Sequence, residues 1–218
     1  MQILLKENIA ISKATIDRLP LYFRTLGQIR EEGVEIISSD ELGKKIGVTP
    51  EQIRKDLASF GEFGKKGVGY YVTDLARHIG EILGLHRGWH IALIGYGQLG
   101  GALANYPNFK TLGFSIKAIF DDNTAKVGKQ AGEMKVQPLA ELEETIRRED
   151  ISIAVITVPA GAAQAIADRL IAAGVKGIWN FAPTKINVPP GVRICNEDLS
   201  VGLTGLSYYL SRDIPEYK

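Results

Sequence analysis

A chain of 218 residues, 45% of them hydrophobic and with a formal net charge of +1, has room for one large domain or two small ones and is too apolar to stay mostly disordered. No apolar run approaches the ~18 residues that span a bilayer, and the opening MQILLKENIA has no signal-peptide cleavage pattern, so the expected setting is cytoplasmic, with no membrane partner. The single cysteine, Cys195, excludes a disulfide framework and a cysteine-built zinc site, and no metal is expected.

Positive and negative residues balance in both halves, so any contact with DNA has to come from local placement rather than overall charge. Residues 1–87 read as short helices joined by turns. Pro20 suits a first helical turn ahead of Leu21-Tyr22-Phe23, and Gly33 supplies a stop. Ser38-Ser39-Asp40 offers a cap for a short helix that Gly47 ends. Thr49-Pro50-Glu51-Gln52 then stacks a cap hydroxyl, a first-turn proline and a capping-box glutamine before a helix over 50–60. From Gly61 to Val72, four glycines, two lysines and flanking aromatics predict a β-hairpin with a basic tip, and a further helix covers 73–83.

From Trp89 the pattern changes to short apolar runs at 91–94, 116–120, 151–156 and 177–180, alternating with helical stretches at 98–104, 138–148 and 159–173. Strands apolar on both faces, alternating with helices, predict an α/β unit with a covered parallel sheet. Val192–Cys195 reads as a last strand, with Cys195 in the core. The expected organisation is a DNA-binding domain over 1–87, a nucleotide-binding domain over 88–198 and a terminal helix over 199–218.

Gly95-Tyr96-Gly97-Gln98-Leu99-Gly100 is a G-x-G-x-x-G between a strand and a helix, and Asp121-Asp122 ends the next strand. Gly95 permits the tight turn, Gly97 lets the backbone approach a pyrophosphate, and Gly100 lets the helix pack on the strand. The helix N-terminus offers unpaired N–H groups to phosphate. Asp121 is placed to accept ribose hydroxyls, and two adjacent carboxylates repel a 2′-phosphate, which favours NAD(H) over NADP(H). The same loop is compatible with another nucleotide, with coenzyme A or with no ligand. Thr157-Val158-Pro159 and Asn180-Phe181-Ala182, at the carboxyl ends of later strands, join the expected cofactor-binding set.

Catalysis has little support. His86 and His90 bracket the wrong end of the first strand, His78 belongs to a connecting helix, and Lys185 alone stands at the correct edge. The first half instead supplies an output. Two helices around the turn Gly47-Val48-Thr49 have the layout of a helix-turn-helix, and the basic hairpin makes it winged. Arg54 is placed for guanine and Gln52 for adenine; Lys55, Thr49 and Ser59 suit the backbone or helix face, and Lys65, Lys66 and Tyr70 belong to the wing.

Both halves resemble one family. Val48–Leu57, Phe60-Gly61, Gly67–Tyr70, Gly95–Gly100, Ala104-Asn105-Tyr106-Pro107, Asn180–Pro183 and Gly202-Leu203-Thr204 with Leu206-Ser207 are similar, in order, to the Rex redox-sensing repressors. The resemblance implies a homodimer that binds palindromic double-stranded operator DNA and is released when NADH replaces NAD⁺. It also implies a C-terminal helix swapped between subunits. Leu199, Leu203, Leu206 and Leu210 form one stripe on that helix, a pattern equally compatible with packing on its own domain. By position, Tyr106 and Asp198 match residues around the nicotinamide and the dimer contact, and Arg24 matches an arginine at the hinge. Leu199 stands where some relatives carry phenylalanine, and Asp121-Asp122-Asn123 replaces the commoner Asp-x-Asp. Competing readings are a small NAD-dependent oxidoreductase and a winged-helix regulator of another nucleotide.

Overall fold

Ser12 opens the first helix by accepting a hydrogen bond from the Thr15 amide, and α1 runs Lys13–Glu31. Leu19, Tyr22, Leu26 and Ile29, spaced three and four apart, form its buried face. Pro20 does not start this helix as the sequence suggested. It lies inside α1 on the exposed side, where Ser12 capping and the flanking buried stripe outweigh one missing N–H.

The computed structural model describes residues 11–65 and 67–212, and the chain divides into two units at Arg87/Gly88. In the first unit, β1 (Ile36–Ile37) leads to α2 (Ser39–Ile46), which Ser38 and Glu41 cap reciprocally. Gly47 ends α2 at φ +71°, a left-handed conformation that glycine adopts without strain. Thr49 caps α3 (Pro50–Ala58) from its hydroxyl, so the capping box falls on α2 and not on α3. The wing is slighter than expected. Lys65 and Gly69 make a single antiparallel bridge, while β2 (Tyr70–Tyr71) pairs with β1 in the register Ile36↔Tyr71, Ile37↔Tyr70. From there α4 (Val72–Ile82) returns to the core, where Ile79 and Val72 join Leu19, Leu42, Ile53 and Leu57.

The second unit begins with β3 (Trp89–Ile94), α5 (Gln98–Ala104), α6 (Asn108–Thr111) and β4 (Phe114–Asp121). It continues through β5 (Gln130–Ala131), β6 (Met134–Pro138), α7 (Leu142–Arg148) and β7 (Ile153–Ile156). The last elements are α8 (Ala160–Ala173), β8 (Gly177–Asn180), β9 (Arg193–Asn196) and α9 (Leu199–Arg212). The sheet order is β5-β6-β4-β3-β7-β8-β9, parallel throughout except for β5 against β6. Without β5, this is the strand order of the dinucleotide-binding doubly wound fold, with its reversal at β3 between β4 and β7.

Alternation splits β3 between two cores. Ala92 and Ile94 join Phe120, Leu142, Ile146 and Leu170 on the side of α7 and α8, while Ile91 and Leu93 join Ile119, Val136 and Val155 on the side of α5. Two-sided burial accounts for the apolar runs of β3 and β7. Cys195, expected in the core, is exposed: β9 is the edge strand, and the thiol donates to Glu197 Oε1 at 3.4 Å. Among the described residues, no helix is long and apolar enough to cross a membrane, and no group of three or more His, Cys, Asp or Glu could hold a metal ion.

Candidate functional site

At the strand-order reversal, the carboxyl ends of β3, β4 and β7 surround a cavity of about 540 Å³. Its wall includes Gly95, Gly97, Asp121, Thr157, Val158, Pro159 and Phe181, so residues expected from four separate loops come together. The glycines divide the labour. A Cβ on Gly100 would sit 1.9 Å from the Gly95 carbonyl oxygen, and one on Gly95, at φ +96°, would meet the Thr157 carbonyl at 2.9 Å. Gly97 has nothing within 4 Å of the place a Cβ would take. Two glycines are required by packing, and the third leaves a bare backbone facing open space. That is the cradle a pyrophosphate needs.

Thr157 closes the floor from β7 by donating to the Gly95 carbonyl at 2.7 Å and the Ile94 carbonyl at 3.1 Å. Asp121, at the end of β4, is buried. Its Oδ2 accepts the Tyr96 amide at 2.7 Å and Lys126 Nζ at 2.9 Å, and its Oδ1 accepts the Asn123 amide at 2.9 Å. Burial alone would raise this carboxyl; Lys126 and the two amides outweigh it and hold it below the usual carboxylate range.

Other expected cofactor residues act as supports. Gln98 and Leu99 belong to the first turn of α5 and do not line the cavity. Asn180 is fully buried, and its amide donates to the Thr184 carbonyl and to Asn196 Oδ1, both at 2.9 Å, while its Oδ1 accepts the Ala182 amide. It shapes the loop that presents Phe181; neither it nor buried Ala182 reaches the cavity. Tyr106 is half-exposed and stands edge-on to Phe109 with ring centroids 5.1 Å apart. Asp198 is exposed and accepts Ser200 N and Oγ, which lower its pKa. Leu199, Leu203, Leu206 and Leu210 are all exposed on α9.

Asp122, expected beside Asp121, does line the cavity; sequence reasoning missed Lys126 and Pro183 there and gave Asn123 no place on the wall. Asn123 carried a turn signal, since its Oδ1 accepts the Ala125 amide, but nothing in the spacing told that Lys126 would fold back onto Asp121.

The first unit offers a separate surface. Arg54 and Lys55 stand exposed on α3, with Thr49 at its cap and Ser59 at its end. Arg54 is steadied by Ser39 Oγ and Glu51 Oε1, at 2.7 and 2.8 Å. Gln52 is turned inward, its amide donating to Asp56 Oδ1 at 2.7 Å, which withdraws it from the expected base contact. Tyr70 is also corrected. It is buried in the first unit's core, and the aromatic on the wing surface is Tyr71, with Lys65 Nζ 5.7 Å from its ring centroid. Lys66 lies outside the described residues. Arg24 is exposed on α1.

Residues 86–184 match the family described as CoA binding domain, and residues 10–58 match the one described as putative DNA-binding protein N-terminus. The chain is 46% identical to the redox-sensing transcriptional repressor Rex of Carboxydothermus hydrogenoformans, over 93% of this chain and 98% of that protein. It is 49% identical to the Rex of Brevibacillus brevis, over 92% and 97%. Among solved structures it is similar to RSP in complex with beta-NAD⁺ and operator DNA (TM-score 0.89, 42% identity, 94% of this chain and 95% of that one). It is likewise similar to RSP in complex with beta-NADH (TM-score 0.87, 40% identity, 94% and 97%). These relatives are named for regulation rather than for a reaction, as the poor supply of acid–base residues suggested. Matched along nearly its whole length at such identity, the chain belongs to the Rex family of redox-sensing transcriptional repressors.

Proposed function

We propose that this chain is a cytoplasmic, homodimeric repressor that holds NAD⁺ or NADH in the cavity at the sheet reversal and binds palindromic double-stranded operator DNA through α3 and the wing. NADH releases the DNA. The observation that carries the reading is the glycine cradle: Gly95 and Gly100 packed to contact, Gly97 bare toward the cavity. The residues present fit a dinucleotide. Gly95 and Gly97 take the pyrophosphate, the Asp121–Asn123 edge takes the adenosine ribose, and Phe181 gives an apolar wall for the nicotinamide. The bound ring supplies the signal, since oxidised nicotinamide carries a positive charge that an apolar wall disfavours.

On the DNA side, Arg54 reads a base edge and Lys55, Thr49 and Lys65 hold phosphates, with Ser59 closing the helix behind them. Arg24 serves the hinge. In α9, Leu199, Leu203, Leu206 and Leu210 are 58–81% exposed, so the stripe makes no core with its own unit. A second copy of the chain covers it, and brings Tyr106, Asp198 and Leu199 into the nicotinamide and dimer contacts.

The match to a CoA binding domain keeps one other nucleotide in view. A gel-shift series with an operator-like palindrome tests both readings. The shift is expected to persist with NAD⁺, NADPH or coenzyme A and to disappear with NADH. Release by coenzyme A, with indifference to NADH, would replace the redox reading with a coenzyme A sensor.

A further inference from the structure

Two adjacent carboxylates at the ribose edge suggest that repulsion alone keeps a phosphorylated ribose out. The structure adds a third charge. Lys126 lies on the same cavity wall as Asp121, Asp122 and Asn123, and its side chain is one-third exposed. Its Nζ sits 2.9 Å from Asp121 Oδ2, which leaves two of its three N–H donors for other acceptors. Asp121 has little left to give. Its two oxygens already accept the Tyr96 amide, the Asn123 amide and the Lys126 ammonium, three of about four acceptor positions.

We infer that Lys126 is a specificity-determining residue for the adenosine end of the dinucleotide, an ammonium suited to a ribose phosphate that the Asp121 contact keeps neutralised. The inference rests on the proposed NAD(H) site and names what sets its choice between NADH and NADPH. With all three side chains charged, the edge carries a net charge of about −1, and a 2′-phosphate of about −1.5 to −2 is repelled only moderately. Without the ammonium, the two carboxylates act unopposed. Without the Asp121 charge, the ammonium is free to pair with a phosphate, as lysine does elsewhere as a point charge.

The test is a cycle in the full-length protein: wild type, Lys126→Gln, Asp121→Asn and the double variant. NADH affinity is measured from nicotinamide fluorescence and NADPH affinity by competition. Lys126→Gln is expected to raise the preference for NADH over NADPH by about tenfold, a difference of ~1.4 kcal/mol. Asp121→Asn is expected to lower that preference by about tenfold, and the double variant to lose the gain in NADPH binding.

A preference unchanged by Lys126→Gln overturns the inference, as does a gain of NADPH binding by Asp121→Asn that survives in the double variant. Should Asp121→Asn fail to fold, Lys126→Gln decides alone, since a side chain already one-third in water is replaced by one of similar reach. A wild-type protein that binds no NADH defeats the proposed site itself. One that binds NADH, with a preference that Lys126 does not move, defeats only this assignment.

Discussion

Asp56 gathers five donated hydrogen bonds at the seam between α1 and α3. Thr15 Oγ1 donates at 3.1 Å, Arg18 at 2.6 and 2.7 Å, Tyr22 OH at 2.6 Å and Gln52 Nε2 at 2.7 Å. Burial would raise the carboxyl, but these donors overcome it and hold it at about 2; burial and then Asp56 push the Tyr22 hydroxyl up. A carboxylate depressed in the folded state stabilises fully above its unfolded pKa, near 4, and loses that contribution as pH falls toward the folded value of about 2. The difference corresponds to about 2–3 kcal/mol. Asp56→Asn is therefore expected to lower stability in urea by about 2–3 kcal/mol at pH 7 and to narrow its gap from wild type as pH drops from 4 to 2. A gap that stays constant with pH would mean the charge is not what joins the two helices.

Among the elements, the turn from β3 into α5 makes the sharpest prediction, because its glycines differ in what surrounds them. Gly97→Ala adds a methyl group where nothing lies within 4 Å, at an ordinary φ of −86°. The variant is expected to melt with wild type yet bind NADH at least about tenfold more weakly, its methyl group standing where the pyrophosphate should rest. Gly100→Ala drives a methyl group onto the Gly95 carbonyl and is expected to cost 1–3 kcal/mol or more of stability. Equal melting of both variants would undo the division of roles.

The same elements show what was legible in the sequence. Spacing and strand context revealed this turn, the strands β3, β4, β7, β8 and β9 and the helices α5, α7 and α8 between them, because each depends on neighbours in the chain. The arm β5–β6 went unread, since Gln130–Ala131 and Met134–Pro138 are too short and too mixed to show a period. Tyr70 and Tyr71 illustrate another limit: adjacent strand residues point to opposite faces, so a partner only two residues long, Ile36–Ile37, decides which ring is buried. Lys126 was missed, and Gln52 was assigned a base contact, for a related reason. Their destinations, Asp121 and Asp56, are set by how a loop or helix face closes, not by residue type.

For the whole molecule, regulation is a coupling free energy and has to obey reciprocity. If NADH weakens operator binding by some factor, operator must weaken NADH binding by the same factor, whatever motion carries the effect. Moving the protein from 99% DNA-competent to 1% takes about 5.5 kcal/mol of differential affinity, and two cofactor sites in a dimer share it at roughly half each. Each site then has to distinguish the two states by about a hundredfold, well within reach of a titration. Binding of NADH, measured with and without a saturating palindromic operator, is expected to show a loss of affinity matching the loss of operator affinity caused by NADH. NAD⁺ is expected to show a much smaller difference, because its charged ring gains less from the apolar wall at Phe181. An NADH affinity indifferent to operator would leave a nucleotide-binding unit and a DNA-binding unit that share a chain without sharing a signal.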